Sequence, residues 1–216
     1  MSVAILRFPG TNCDLDMGYV YEKLGAKVCY VWHAEEALPK DTDLVVLAGG
    51  FSYGDYLRSG AIAKQAKIMS SVKEFANRGG KVLGICNGFQ ILTESGMLEG
   101  VLHRNKSLKF IAKDVKLRVV NNDNIFLSRY IQDEEITLPI AHADGNYFID
   151  EEGLKSLQDH HQILLQYTED VNGSIYQIAG ICNKQKNVFG LMPHPERAIE
   201  KALGGIDGMA MLGALL

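Results

Sequence analysis

The chain has 216 residues, 47% hydrophobic and 22% charged, which is enough apolar material for one globular domain with a sizeable core. Its formal net charge of −4 gives no electrostatic footing for nucleic acid, and no apolar stretch approaches the ~20 residues that span a bilayer. Cys13, Cys29, Cys86 and Cys182 show no CxxC spacing and no clustered histidines, so no metal site is expected and the thiols are read as free, in a reducing cytoplasm.

The first half alternates strands and helices. Residues 3–8 form an apolar run closed by Pro9-Gly10, and too short for a signal peptide. A helix is predicted over 14–24, capped by Thr11 or Asn12 and stopped at Gly25. Strands are predicted at 27–32 and 44–48, the latter running into Gly49-Gly50. A helix over about 62–77 stops at Gly79-Gly80, and a strand at 81–85 leads to Cys86. Apolar strands without polar alternation, separated by helices, indicate a parallel sheet covered on both faces. The fold class is therefore α/β, an open, doubly wound, mostly parallel sheet. Its ligand crevice should lie beyond the C-terminal strand ends.

The second half changes character. Residues 108–120 partly alternate apolar and polar, as antiparallel, half-exposed strands do. Further strands are expected at 138–141, 163–167, 175–181 and 188–192, with Asn172-Gly173 as a turn signal. Residues 206–216 read as a final apolar helix that belongs to the core. No repeat, low-complexity tract or linker interrupts the chain, so residues 1–216 are taken as a single domain.

Three segments carry chemistry. In Gly84-Ile-Cys-Asn-Gly-Phe-Gln90, Cys86 sits on a sharp strand-to-helix turn between two glycines, the layout of a nucleophile elbow. The N-terminus of the following helix favours a thiolate there. The plain alternative is a small buried residue in an ordinary turn. In Met192-Pro-His-Pro-Glu-Arg197, the prolines push the residues before them towards extended backbone. Residues i and i+2 then share a side, so Glu196 can bind one ring nitrogen of His194 and leave the other for a nucleophile. The alternative is a surface histidine beside a solvated carboxylate. The third segment is Ala48-Gly-Gly-Phe-Ser-Tyr-Gly-Asp-Tyr-Leu-Arg-Ser-Gly60. Acyl chemistry at Cys86 needs N–H donors for an oxyanion. Asn87 N–H is one candidate, and Gly50 or Phe51 is placed to give the other. A phosphate loop would want Gly-Lys-Ser/Thr, which is absent.

These residues resemble the class I, triad-type glutamine amidotransferases. The superfamily is marked by the cysteine elbow and the late His-Pro-Glu. Phe8-Pro-Gly-Thr-Asn-Cys-Asp14, Gly49-Gly-Phe-Ser-Tyr-Gly-Asp-Tyr-Leu-Arg58, and Asn172-Gly-Ser174 with Ile178-Ala-Gly-Ile-Cys-Asn183 are similar to one branch. That branch comprises the glutaminase subunits of phosphoribosylformylglycinamidine synthases, and the similarity runs from about residue 3 to 210.

The resemblance implies that Cys86 attacks the side-chain amide of L-glutamine, that His194 protonates the leaving ammonia and then activates water, and that Glu196 orients His194. Gln90 matches a glutamine-contacting residue, and backbone around Gly50 and Phe51 would hold substrate and oxyanion. The same resemblance implies a separate large synthetase subunit, which takes the ammonia and carries ATP and magnesium, and a small bridging subunit. No cofactor is expected in this chain.

Two departures stand out. Ala141-His-Ala-Asp-Gly-Asn-Tyr147 corresponds to a stretch usually written His-x-Glu-Gly, so Asp144 is a shortened carboxylate. Asp170-Val-Asn172 replaces what is often Asn-Pro-Asn. Both leave the roles of His142 and Tyr147 open.

Cys13 is a rival nucleophile at a strand end, although no histidine pairs with it in sequence. Cys29 and Cys182 read as core, His160-His161 as a solvated loop, and Arg58 as either solvated or facing the partner. Related cysteine hydrolases place a histidine directly after the cysteine, where this chain has Asn87. A non-catalytic binding module would be expected to break the triad, and another amidotransferase would not need the 49–58 segment.

Overall fold

A computed structural model describes residues 1–216. The elements run β1 (Ser2–Arg7), α1 (Asp14–Lys23), β2 (Lys27–Trp32), β3 (Leu44–Leu47), α2 (Ile68–Asn77), β4 (Lys81–Ile85) and α3 (Asn87–Glu94). There follow β5 (Val101–His103), β6 (Ile111–Val119), β7 (Glu135–His142), β8 (Asn146–Phe148), α4 (Glu151–Asp159), β9 (Ile163–Tyr167), β10 (Ile178–Cys182), β11 (Val188–Leu191) and α5 (Met209–Ala214).

Nine strands form one sheet in the order β2-β1-β3-β4-β11-β10-β9-β6-β7. The pairings from β2 through to β11 are all parallel. From β11 to β7 they are all antiparallel. Side-chain pattern marks only the outer strands of the antiparallel half. β3, β9 and β10 are buried at every residue, as strands covered on both faces must be, whereas β6 buries Val115, Leu117 and Val119 and exposes the residues between them. β5 and β8 form a separate antiparallel pair. The amphipathic α2 buries Ile68, Met69, Val72 and Ala76 along one stripe.

Several local expectations needed adjustment. The helix anticipated over 62–77 is interrupted: a short 3-10 turn at Ala63–Gln65 ends where Ala66 becomes extended (ψ 143°), and α2 starts afresh. Neither Thr11 nor Asn12 caps α1. Thr11 Oγ1 accepts the Phe8 N–H at 3.0 Å instead, and the cap position falls to Cys13 without a side-chain bond. The strand expected over 175–181 begins only at Ile178, because Tyr176 and Gln177 take left-handed backbone (φ 52° each). The last helix is confined to Met209–Ala214, though Met211 and Leu212 are core as expected. α4 escaped detection in sequence, yet it carries a plain signal: Asp150 accepts the Gly153 N–H at 2.7 Å as an N-cap, before an acidic first turn.

Candidate active site

The segments after β1, β3, β4 and β11 meet beyond their strand ends, where a doubly wound sheet places its crevice. Cys86 joins β4 to α3 with φ 50° and ψ −105°, a costly conformation for a residue with a side chain. Its backbone is pinned on both sides. The N–H donates to Leu191 O at 2.8 Å and the carbonyl accepts from Gln90 N at 3.1 Å. Gly88 has to be glycine: a Cβ there would fall 1.9 Å from Leu47 O, so α3 rests directly on the end of β3. Cys86 is buried, and its Sγ approaches Ala141 O at 3.8 Å.

His194 and Glu196 are each 2% exposed, and His194 Nδ1 lies 2.6 Å from Glu196 Oε1. The pairing was anticipated, but the route differs. Pro195–Arg197 forms a 3-10 turn, so that turn, rather than strand alternation, returns Glu196 to the ring. The His194 N–H donates to Pro139 O at 2.8 Å, which anchors the segment on β7. Burial opposes charge on the imidazole, yet the Glu196 carboxylate and Cys86 hold its pKa well above the usual histidine range. His194 Nε2 has no hydrogen-bond partner within the chain.

Two small cavities flank Cys86 and share Gly50, Phe51, Cys86 and Ala141. One, of about 170 Å³, adds Asn12, Cys13, Phe110, His194 and Arg197. The other, about 30 Å³, adds Asp55, Ser59, Gln90, His142, Ala143 and Asp144. Two roomier surface cavities, of about 300 and 670 Å³, contain none of these residues.

The candidate oxyanion donors separate. Phe51 N–H is committed to Gly10 O at 2.9 Å, which removes it as a donor, although the residue lines both cavities. Gly50 N–H makes no hydrogen bond. At φ 152°, with Gly10 O only 2.7 Å from where a Cβ would sit, position 50 admits only glycine. Asn87 N–H opens α3, in the first turn where backbone donors lack helical partners. The Asn87 side chain is structural. Its Oδ1 accepts from Ser52 N at 3.0 Å and its Nδ2 donates to Gln90 Oε1 at 2.9 Å. Gln90 in turn donates to Asp144 O at 2.6 Å, so it ties the elbow helix to the 141–147 loop and keeps one amide hydrogen for a ligand.

Of the two carboxylates that line the smaller cavity, sequence analysis singled out Asp144 and gave no role to Asp55. Asp55 lies in a strained loop in which Tyr53, Asp55 and Leu57 all take positive φ. Burial and then the nearby Asp144 charge raise the Asp55 pKa to about 6. Asp144 accepts from Ser59 Oγ at 2.8 Å. The Gly-Asp within a glycine-rich loop was the available clue to Asp55. No signal in the chain tied it to Asp144, 89 positions on by subtraction.

Cys13 is also closer to the chemistry than its sequence suggested. Its Sγ, a nitrogen of His194 and an oxygen of Glu196 all lie within 4.8 Å of one another, close enough for a metal ion. Arg197 Nη2, however, donates to Cys13 Sγ at 3.1 Å and sets a positive charge where a dication would sit. Tyr147 is fully buried and its hydroxyl donates to Glu99 O at 2.9 Å, a structural role. Arg58 pairs with Glu94 through two nitrogens. Cys182 is buried and Cys29 half-buried. No helix is long and apolar enough to cross a membrane.

Comparison with known proteins agrees with this geometry. Residues 1–204 match the family model of the CobB/CobQ-like glutamine amidotransferase domain. The chain is 61% identical to phosphoribosylformylglycinamidine synthase subunit PurQ of Wolinella succinogenes, covering all of this chain and 99% of that one. It is 58% identical to the protein of that name from Campylobacter jejuni subsp. jejuni, covering all of this chain and 96% of the other. Among solved structures it is similar to PurLQS from Thermotoga maritima, with TM-score 0.92 and 45% identity over 99% of this chain and 96% of that one. A glutamine amidotransferase from the same organism, at TM-score 0.66 and 16% identity over 100% and 96% of the two chains, shares the fold. The chain therefore belongs to the glutamine amidotransferase family, in the branch of the phosphoribosylformylglycinamidine synthase PurQ subunits.

Proposed function

We propose that this chain, working as a single domain over 1–216, is the glutaminase subunit of a phosphoribosylformylglycinamidine synthase. It hydrolyses L-glutamine to glutamate and ammonia. The ammonia passes to a large synthetase partner, which uses ATP and magnesium to convert formylglycinamide ribonucleotide to formylglycinamidine ribonucleotide. The observation that carries the reading is the strained Cys86 elbow beside the buried His194–Glu196 pair, in a chain 61% identical to a PurQ subunit along its whole length. The likeness to PurLQS supports a complex with a synthetase and a small third subunit. A cytoplasmic location is part of the same proposal, and the four free cysteines are in keeping with it. The chain itself is proposed to need no cofactor.

The chemistry follows from the positions. Cys86 Sγ, as thiolate, attacks the carboxamide carbon, and charge collects on the carbonyl oxygen. Gly50 N–H and Asn87 N–H receive that oxyanion. Protonated His194 gives its Nε2 proton to the amide nitrogen, the C–N bond breaks, and ammonia leaves with a thioester on Cys86. Neutral His194 then takes a proton from water, whose oxygen attacks the thioester and releases glutamate. Glu196 holds the ring and stabilises its charge throughout. Asp55 and Asp144 supply negative charge at the far end of the cavity for the α-ammonium of an amino acid. Gln90 stiffens that end and offers its spare N–H.

One observation favours a second reading: Cys13 lies nearer the His194–Glu196 pair than sequence suggested, which makes it a rival nucleophile. Glutamine hydrolysis by the intact complex, with Cys86→Ala and Cys13→Ala compared, separates the two. The expected outcome is loss of glutamine-dependent synthesis in Cys86→Ala alone, with ammonia-dependent synthesis retained. Loss in Cys13→Ala with activity kept in Cys86→Ala would transfer the role to Cys13. Hydrolysis by none of the three proteins would leave a binding module.

A further inference from the structure

His142 ends β7 beside Ala141, whose carbonyl faces the Cys86 thiol, and its side chain is 3% exposed. Its Nδ1 lies 3.0 Å from Asn105 Oδ1. Asn105 is fully buried and its amide has only one workable orientation. Nδ2 donates to Lys109 O at 2.9 Å and to His142 O at 2.8 Å, while Oδ1 accepts from Gly145 N at 3.0 Å. A carboxamide oxygen only accepts, so His142 Nδ1 carries the proton. Burial, reinforced by the charge of His194, pushes the His142 pKa down to about 4. The ring is therefore neutral at physiological pH, and Nε2 is a bare lone pair.

That lone pair is buried and has no hydrogen-bond partner in the chain, in a residue that lines the cavity with Cys86, Gln90 and Asp144. A buried acceptor without a donor is costly, so it is expected to find its donor in the ligand. Asp55 and Asp144 already present carboxylates suited to a cationic ammonium, which leaves the neutral acceptor for a neutral donor.

Building on the glutaminase reading, we propose that His142 Nε2 accepts an N–H of the scissile carboxamide and so makes the site specific for amide over carboxylate. The contact holds the amide nitrogen on the Cys86 side of the cavity, ready for the proton from His194. The product carboxylate offers no N–H and faces an unpartnered lone pair, which favours its release. Fixing the proton on Nδ1 is the task of Asn105, a positioning residue that acts through the ring.

The test uses the intact complex and two substrates with the same acyl group, L-glutamine and the γ-methyl ester of L-glutamate, which has no amide N–H. His142→Asn keeps a donor towards Asn105 and deletes the acceptor. Its kcat/KM for glutamine is expected to fall about 10- to 100-fold, as for a buried hydrogen bond lost, while the value for the ester stays within about threefold of wild type. His142→Gln, which can carry an oxygen to the place of Nε2, is expected to recover part of the amide preference. Equal losses on amide and ester, or no loss on either, would overturn the proposal. Absence of hydrolysis of either substrate by the wild-type complex would instead overturn the glutaminase reading, so the two failures are distinct.

Discussion

Glu196→Gln isolates the part of this site that rests on charge. The substitution keeps the length and one acceptor oxygen of the side chain and removes its negative charge. Glu196 Oε1 is 2.6 Å from His194 Nδ1, and both residues are almost wholly out of water. With charge centres roughly 4 Å apart and an effective dielectric near 20, the pair interacts by about 4 kcal/mol. At about 1.4 kcal/mol per tenfold, that is nearly three powers of ten in the population of charged imidazole. Burial works against the charge, so without the carboxylate His194 is expected to be neutral at pH 7 and unable to protonate the leaving nitrogen. Glutamine-dependent kcat/KM of the complex is expected to fall about 10²- to 10³-fold, with ammonia-dependent synthesis unchanged. The sign for stability follows from the direction of the shift. A raised histidine pKa contributes stability that is present in full below the unfolded value near 6.5 and is lost as pH rises through the folded value. The stability gap between wild type and variant should therefore be widest in mild acid and should close in alkali. A kcat/KM within about threefold of wild type, together with an unaltered stability–pH curve, would refute the electrostatic role assigned to Glu196.

Two further outcomes follow from the same geometry. Gly88→Ala forces a methyl group to within 1.9 Å of Leu47 O, so α3 has to lift off β3. A loss of about 1–3 kcal/mol in denaturant unfolding is expected, with glutamine hydrolysis falling further than stability because the elbow moves; unchanged unfolding would contradict the packing described. Asp55→Asn removes a carboxylate whose pKa is raised to about 6, a penalty on the folded state that grows as pH rises from the unfolded value near 3.8 through about 6. After allowance for its partial exposure, the variant is expected to gain on the order of 1 kcal/mol at pH 7 while KM for glutamine increases. Lower stability at neutral pH, or an unchanged KM, would remove Asp55 from the ammonium end of the cavity.

The parallel half of the sheet was legible because its strands are short, apolar and bounded by glycine, and because local pattern alone decides such elements. Misreadings clustered where a residue adopts backbone that its type disfavours. Tyr176 and Gln177 shorten β10 by taking positive φ, and Ala66 splits the helix before α2 by turning extended. Helical period carries no mark of either. α4 was missed because only Leu157 is fully buried in it, so its cap and acidic first turn were stronger signals than its apolar pattern.

Cys86, the His194–Glu196 pair, and Gly50 or Phe51 were legible as candidates in sequence because each rests on a local device: an elbow, a proline-bounded segment, a glycine pair after a strand. What the sequence by itself determined was therefore the class of chemistry, the strand ends that carry it and the family resemblance. Only the tertiary structure decided which groups share the cavity. It committed the Phe51 N–H to Gly10, brought Cys13 beside His194, set Asp55 near Asp144, and left His142 with a bare acceptor in a residue that shares a cavity with Cys86. The physical reason is that hydrogen bonds and charges act over a few ångströms of space. Residues far apart in the chain enter that range only when the sheet has assembled, and burial then decides which of their protons and lone pairs remain available.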